Sequence, residues 1–247
     1  MTALARRRMA TRLCPRAARS GRMSRALASL NRRYTIASLW YDATRWTYIR
    51  GRRRAVRELQ LRPGARVLEV GCGTGANLRH LARAVGPEGT LVGLDYVRAM
   101  LRRAAPKAAR LNADSRAKVH LVQADAAALP FACTTDDTQF DAVLFSYSLT
   151  MIPDWTRAID EAIRVLRPGG RVASLDFSDA RRWPPGVRHL LTRVWLKAHG
   201  VHVDRDFAGE FAARGASDNV REVSILGHYV RIVLGTKPQT TIPAQLS

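Results

Sequence analysis

The feature that most constrains this 247-residue chain is the loop Gly71-Cys72-Gly73-Thr74-Gly75, directly behind the apolar run Arg66–Val70 (RVLEV). Three glycines at alternate positions let the backbone turn sharply from a strand into a helix. They also let it approach a ligand with no Cβ in the way. Asn77–Ala84 continues as that helix, so loop amides and a helix N-terminus face the same point. A second apolar run, Thr90–Leu94, closes on Asp95, twenty residues beyond Gly75. A carboxylate there can accept hydrogen bonds from both hydroxyls of a ribose. A glycine turn alone is weak evidence, but turn, strand and acid together point to a nucleoside site.

The same alternation runs on along the chain. Residues 51–61 read as a helix ending before the turn Arg62-Pro63-Gly64. A helix over 97–109, strands over 119–123 and 140–146, a helix over 155–166 and a strand over 171–177 follow. Strands alternating with helices imply a parallel sheet covered on both faces. Residues 181–222, opened by Arg181-Arg182-Trp183-Pro184-Pro185, form an insertion expected to become helices over an acceptor pocket. Val223–Leu226 and Tyr229–Leu234 then read as a closing antiparallel hairpin. This organisation predicts a basic segment over 1–39, one domain over 40–238 and a flexible tail over 239–247.

Composition matters mainly through charge. Lys and Arg number 41 against 20 Asp and Glu, a formal net charge of +21, and residues 1–41 carry ten Arg and no acid. Such a surface attracts phosphate, on nucleic acid, anionic lipid or a nucleotide-like ligand. Only four of the basic residues are Lys, an Arg bias that a GC-rich genome also produces. The N-terminal segment fits an organelle transit peptide, an amphipathic arm on anionic lipid, or a disordered tail. No long apolar region follows its charges, which argues against a secretory signal. No run reaches the roughly 18 apolar residues of a membrane span. Cys14, Cys72 and Cys133 stand far apart with no CxxC. That pattern suggests neither a disulfide framework nor a zinc site, and a reducing compartment.

A dinucleotide fingerprint has the spacing GxGxxG, whereas here the third glycine follows one residue later and Glu69 precedes the first. The run Glu69-Val70-Gly71-Cys72-Gly73-Thr74-Gly75 closely resembles motif I of the class I S-adenosylmethionine-dependent methyltransferases. The resemblance continues through Gly93-Leu94-Asp95, Gln123-Ala124-Asp125-Ala126, Phe140-Asp141-Ala142-Val143 and Leu166-Arg167-Pro168-Gly169-Gly170, in order, over roughly residues 40–180. It implies an α/β, Rossmann-like, doubly wound, mostly parallel seven-stranded sheet, with S-adenosyl-L-methionine as cofactor. It also implies site roles. Gly71, Gly73, Thr74 and Gly75 would hold the methionine and ribose portion, with Glu69 supporting the loop. Asp95 would grip the ribose diol and Tyr96 would pack beside adenine. Asp125 would accept from the adenine amino group, with the Ala126 amide beside it. Ser146 would lie near the reactive methyl. The plainer reading makes Asp125 a loop cap and Ser146 an ordinary strand end.

A sulfonium methyl is already activated, so transfer needs alignment and desolvation and no metal. An amine acceptor must also shed a proton. Tyr147, His199, His202 and His228 are candidates for that task or for orienting the acceptor. Tyr147 leads because it follows Ser146 at the ligand end of the sheet. Phe145-Ser146-Tyr147-Ser148 lacks the DPPY-like tetrapeptide of nucleic-acid amino methylases. Cys133 lacks a Pro-Cys setting, and Lys is scarce, so a nucleic-acid acceptor is not favoured.

Residues 125–177 look like the quinone C-methyltransferases. Tyr41–Trp46 with Gly51-Arg52, then Ser146–Trp155 and Trp195–Phe207, look more like the bacterial diacylglyceryl-homoserine N-methyltransferases. Those in turn are similar to phosphatidylethanolamine N-methyltransferases. The rings of Tyr34, Trp40, Tyr41, Trp46 and Tyr48 stand among arginines, which suits a headgroup layer, a lid, or simple packing. The expectation is therefore an enzyme that methylates a membrane-lipid amine from the cytoplasmic face, in peripheral contact with an anionic membrane. A quinone or other small molecule is the alternative acceptor. A non-catalytic nucleoside-binding or RNA-associated protein is the remote one.

Overall fold

The computed structural model describes residues 49–132, 139–197 and 200–239. The basic N-terminal segment, the stretch from Tyr34 to Tyr48, Cys14, Cys133, His199 and the tail from residue 240 lie outside the described residues.

Seven strands form one sheet: β1 (Arg66–Val70), β2 (Thr90–Asp95), β3 (Lys118–Gln123), β4 (Phe140–Ser146), β5 (Leu166–Phe177), β6 (Asp218–Ile225) and β7 (Val230–Thr236). Their order is β3-β2-β1-β4-β5-β7-β6. The first five are parallel, and β7 runs antiparallel to both β5 and β6. Helices α1 (Ile49–Glu58), α2 (Leu78–Val85), α3 (Arg98–Ala113) and α4 (Trp155–Val165) fill the crossovers and the approach to β1. A short α5 (Pro185–His189), its π-wound continuation α6 (Leu190–Leu196) and α7 (Phe207–Ala213) lie between β5 and β6. This is the Rossmann-like sheet with a C-terminal antiparallel pair. The chain reverses direction across the sheet between β1 and β4, and the crevice beyond their carboxyl ends is where such sheets bind ligands.

The period-two alternation of a strand explains both cores. In β1, Val67 faces one apolar cluster, with Leu91, Leu144, Leu175 and Ile232. Leu68 and Val70 face the other, with Val143, Phe145, Val172 and Val233. Each fully buried side chain of this kind contributes on the order of 2 kcal/mol. Helix α2 buries Leu78, Leu81, Ala82 and Val85, the i, i+3, i+4, i+7 stripe of an amphipathic helix. Among the described residues, no helix is long and apolar enough to cross a membrane.

Strand β5 starts five residues earlier than the apolar run suggests. Leu166 already pairs with Phe140, while the next register pair is Ala142 with Arg171. Arg167–Gly170 therefore bulges out of the ladder. Gly169, at φ +72°, donates to the Lys237 carbonyl, and the Lys237 amide donates back to Gly170. Helix α1 ends at Glu58 rather than near residue 61, and α3 runs past Pro106 to Ala113. The hairpin strands are longer than expected, joined through Leu226, Gly227 and His228, all at positive φ.

Candidate active site

The loop after β1 turns through three left-handed glycines, with φ of +73°, +56° and +73° at Gly71, Gly73 and Gly75. They are needed for different reasons. A Cβ on Gly71 would stand 2.5 Å from the Ser148 Cβ, so the loop after β4 presses directly on it. A Cβ on Gly75 would meet Leu78 and Ala104, where α2 and α3 pack. A Cβ on Gly73 would meet nothing within 4 Å, because that position opens into the cleft. Ser148 Oγ donates to the Val70 carbonyl at 2.8 Å and ties the two loops together.

Asp95 is the second fixed point. Its Oδ2 accepts from the Gly73 amide and its Oδ1 from the Val97 amide, both at 2.8 Å. Burial pushes its pKa up, and these two hydrogen bonds pull it partly back. Behind the loop, Glu69 is 1% exposed. Its Oε1 accepts from Asn77 Nδ2 at 2.6 Å, and its Oε2 has no hydrogen-bond partner among the described residues. Desolvation raises its pKa from 4.5 to about 7, against the pull of Asn77 and of the Arg52 charge.

The cleft is walled by Gly71, Gly73, Thr74, Asp95, Tyr96, Asp125, Ala126, Ser146 and Tyr147, so nine of the residues singled out from sequence converge there. Glu69 and Gly75 do not line it; one braces the loop from behind and the other packs the helices. Asp125 lines the cleft and caps its own loop, its Oδ1 accepting from the Ala127 amide at 2.9 Å. Tyr147 is 3% exposed and sits at φ +53°. A bulky residue in that region costs on the order of 1–3 kcal/mol, and such strain clusters at functional sites.

Sequence reasoning missed three contributors. Arg52, from α1, is buried at 7% exposure. Its Nη1 donates to Asn77 Oδ1 at 3.3 Å and Ser146 Oγ at 3.4 Å, and its guanidinium lies 5.3 Å from the Tyr147 ring centroid. In the sequence it is one of three consecutive arginines, with only the amphipathic phase of α1 to distinguish it. Asp176, wholly buried at the end of β5, accepts from Thr150 N at 3.0 Å and Thr150 Oγ1 at 2.6 Å. Arg205 donates to the carbonyls of Leu149 at 2.5 Å and Ile152 at 2.9 Å. Together they hold the segment Tyr147–Pro153, whose Met151, Ile152 and Pro153 form the apolar end of the cleft. His202 donates its amide to the Thr150 carbonyl, and His228 lies against Ser178 and Arg181; neither lines the cleft.

Residues 67–170 match the family model described as a methyltransferase domain. A demethylmenaquinone methyltransferase of Desulfitobacterium hafniense (strain Y51) is 32% identical over 209 residues, covering 76% of this chain and 79% of that protein. The chain belongs to the S-adenosylmethionine-dependent methyltransferases. Another relative carrying the demethylmenaquinone methyltransferase name is matched over only 49% of its length. Among solved structures, a SAM-dependent methyltransferase from Aquifex aeolicus shares the fold with TM-score 0.58 at 19% identity, over 82% of this chain and 97% of that one. Phosphoethanolamine N-methyltransferase 2 of Haemonchus contortus, solved with phosphomonomethylethanolamine and S-adenosylhomocysteine, does so with TM-score 0.64 at 14% identity, over 80% and 57%.

S-adenosylmethionine is the cofactor of this methyltransferase. The residues present fit it: an open position at Gly73, a buried carboxylate on the neighbouring strand end, and a second carboxylate further along the same wall.

Proposed function

We propose that this methyltransferase transfers its methyl group to the ring of a quinol-type acceptor, a hydroxylated aromatic that ionises to an anion. The observation that carries the reading is the charge at the acceptor end of the cleft. The ionic side chains lining the cleft are Arg52, Asp95 and Asp125, and the two acids stand on the β2 and β3 side. Beside Ser146, Tyr147, Met151 and Ile152, the ionic group among the described residues is the buried cation Arg52, which already covers the Tyr147 ring. An ammonium acceptor would meet that cation, and among the described residues no carboxylate lines this end of the cleft; Glu69 and Asp176 are buried behind it. An ionised hydroxyl on an apolar ring is complemented by it. The demethylmenaquinone methyltransferase name of the 32% identical relative supports the same reading.

In this proposal Asp95 accepts from the ribose hydroxyls and Asp125 from the adenine amino group. The loop Gly71–Thr74 holds the amino-acid portion. When bound, S-adenosylmethionine supplies a methyl group already activated by its sulfonium. Arg52 favours the ionised acceptor, whose hydroxyl proton leaves to solvent; once the ring carbon has taken the methyl, the hydrogen on that carbon is lost as a proton to solvent and the ring is aromatic again. Tyr147 orients the ring, and Met151, Ile152 and Pro153 exclude water.

The head-group amine of a membrane lipid is the second reading. It is favoured by the sequence of Tyr41–Trp46, outside the described residues, and of Ser146–Trp155. Purified enzyme with methyl-labelled S-adenosylmethionine should be given a demethylated naphthoquinol and, separately, phosphatidylethanolamine vesicles. Label in the ring, abolished by Asp95→Ala, supports the quinol. Label in the lipid amine replaces it with the second reading. Cofactor binding with label in neither overturns both.

A further inference from the structure

Four large apolar side chains stand exposed among the described residues: Val187 at 44%, Leu190 at 60%, Val194 at 51% and Leu226 at 37%. Three of them fall on one continuous helix, α5 running into α6, at i, i+3 and i+7, so they form a single outward stripe. The fourth belongs to the same neighbourhood. Leu226 sits on the β6–β7 turn, and its carbonyl accepts from Trp183 Nε1 at 2.8 Å, two residues ahead of α5. An apolar stripe gathered in one place on a soluble surface marks a contact.

The charges around the stripe say what kind. From Ala180 to Val203 there is no Asp or Glu, while Arg181, Arg182, Arg188, Arg193 and Lys197 stand in that stretch. Arg182, Arg188, Arg193 and Lys197 are exposed, and Trp183 and Trp195 are half-buried beside them. The groove that Arg188, Arg193 and Lys197 line also holds Asp179, Asp204, Asp206 and Glu222, but the helix itself carries cations and no carboxylate. An exposed apolar stripe on a helix of cations and indoles matches the boundary layer of an anionic bilayer. Rings sit there at headgroup level, basic side chains meet phosphates and aliphatic side chains enter the acyl edge. The inner side of the same helix pair packs inward. Leu196 is buried in the cluster that holds Tyr147, and Leu191 and Trp195 pack against it together with Met151. The element whose outer face is apolar thus packs its inner face into the same core that holds Tyr147 and Met151.

We infer that the α5–α6 helix is a membrane-docking element, lying in the headgroup layer of an anionic bilayer with Val187, Leu190 and Val194 inserted and Arg188, Arg193 and Lys197 on lipid phosphates. The inference deepens the reading of an apolar acceptor, delivered from the bilayer to the Tyr147 end of the cleft, but it rests on different residues. Its test reads binding rather than turnover. Full-length protein is sedimented with phosphatidylglycerol–phosphatidylcholine vesicles and with phosphatidylcholine alone, for the parent and for Leu190→Glu/Val194→Glu. Titration with S-adenosylhomocysteine reports folding. The expected result is partition to the anionic vesicles only, weakened about tenfold or more in the double variant at unchanged S-adenosylhomocysteine affinity. Arg188→Glu/Arg193→Glu should also weaken it, and high salt should do so for the parent.

Several results overturn the inference: a parent that ignores vesicles, equal binding to neutral vesicles, or a double variant that binds like the parent and so places the contact elsewhere in the chain. A monomer–dimer equilibrium abolished by the double variant, without vesicle binding, overturns it in favour of a second copy on this face. Vesicle binding with no methylation of any quinol or lipid leaves the docking surface standing and removes the acceptor reading.

Discussion

The two ends of this molecule's cleft are built in opposite ways. The cofactor end, from β1 through β2, is made of backbone and carboxylates held by short-range bonds: Gly73 to Asp95, Val97 to Asp95, Asn77 to Glu69. The acceptor end is made of side chains carried in from far along the chain. Arg52 reaches Ser146 across 94 residues, Thr150 hangs from Asp176, and Arg205 clamps Leu149 and Ile152. In the proposed function the first end takes the cofactor, which the family has in common, so a compact local motif suffices. The acceptor end has to differ from one enzyme to another, and distributed contacts can change one at a time.

If that contrast holds, the largest effect belongs to Gly71→Ala. The new methyl would sit 2.5 Å from Ser148 Cβ on a backbone at φ +73°, so overpacking and strain act together. The expected loss is about 3 kcal/mol of stability and most of the cofactor affinity, read by thermal melts and S-adenosylhomocysteine titration. Stability near the parent value would show that the two loops are not pressed together.

Glu69→Gln tests the cofactor end by pH. The folded pKa lies above the unfolded one, so the stabilisation is complete below pH 4.5 and is lost as pH rises to about 7. Glu69 should take up to about 3 kcal/mol from the parent's unfolding free energy over that window, and the Gln variant should lack this share of the slope while keeping what the raised pKa values of Asp95 and Asp176 contribute. A parent with no such slope would mean that Glu69 is ionised and paired.

Arg52→Lys addresses the acceptor end. It keeps the charge but loses the planar guanidinium, whose Nη1 donates to both Asn77 and Ser146. About a tenfold fall in kcat/KM for the quinol, roughly 1.4 kcal/mol, is expected with little change in cofactor affinity. An equal fall in cofactor affinity would move Arg52 to the other end of the cleft.

The smallest effect is expected at Gly186, in the α5–α6 element, where a Cβ would meet nothing within 4 Å and φ is not left-handed. Gly186→Ala should raise stability by about 0.5 kcal/mol through the unfolded chain alone, with cofactor affinity unchanged. The opposite signs of two glycine-to-alanine changes would make the difference between the two regions quantitative.

Much of the core was legible because its signals are local. Four of the five parallel strands begin within one residue of where the apolar runs place them, and Asp95 ends β2 as read. The LRPGG run was legible as a motif but not as a bulge. Its register depends on Phe140 and on Lys237, 71 residues beyond Leu166. Cys72 read as an isolated thiol and is a buried member of the loop beside Gly93, its pKa raised mainly by burial.

By itself the sequence determined the family, the cofactor and most of the residues that meet in one cleft, because a strand, a three-glycine turn and an acid at fixed spacing are short-range chemistry. Only the tertiary structure decided that Gly75 packs the helices behind the cleft rather than lining it. It also decided that Arg52, alone in a run of arginines, is buried against Tyr147, and that the apolar stripe after β5 faces outward. Burial is a property of what packs against a residue, and those partners lie tens of residues away, where no local pattern records them.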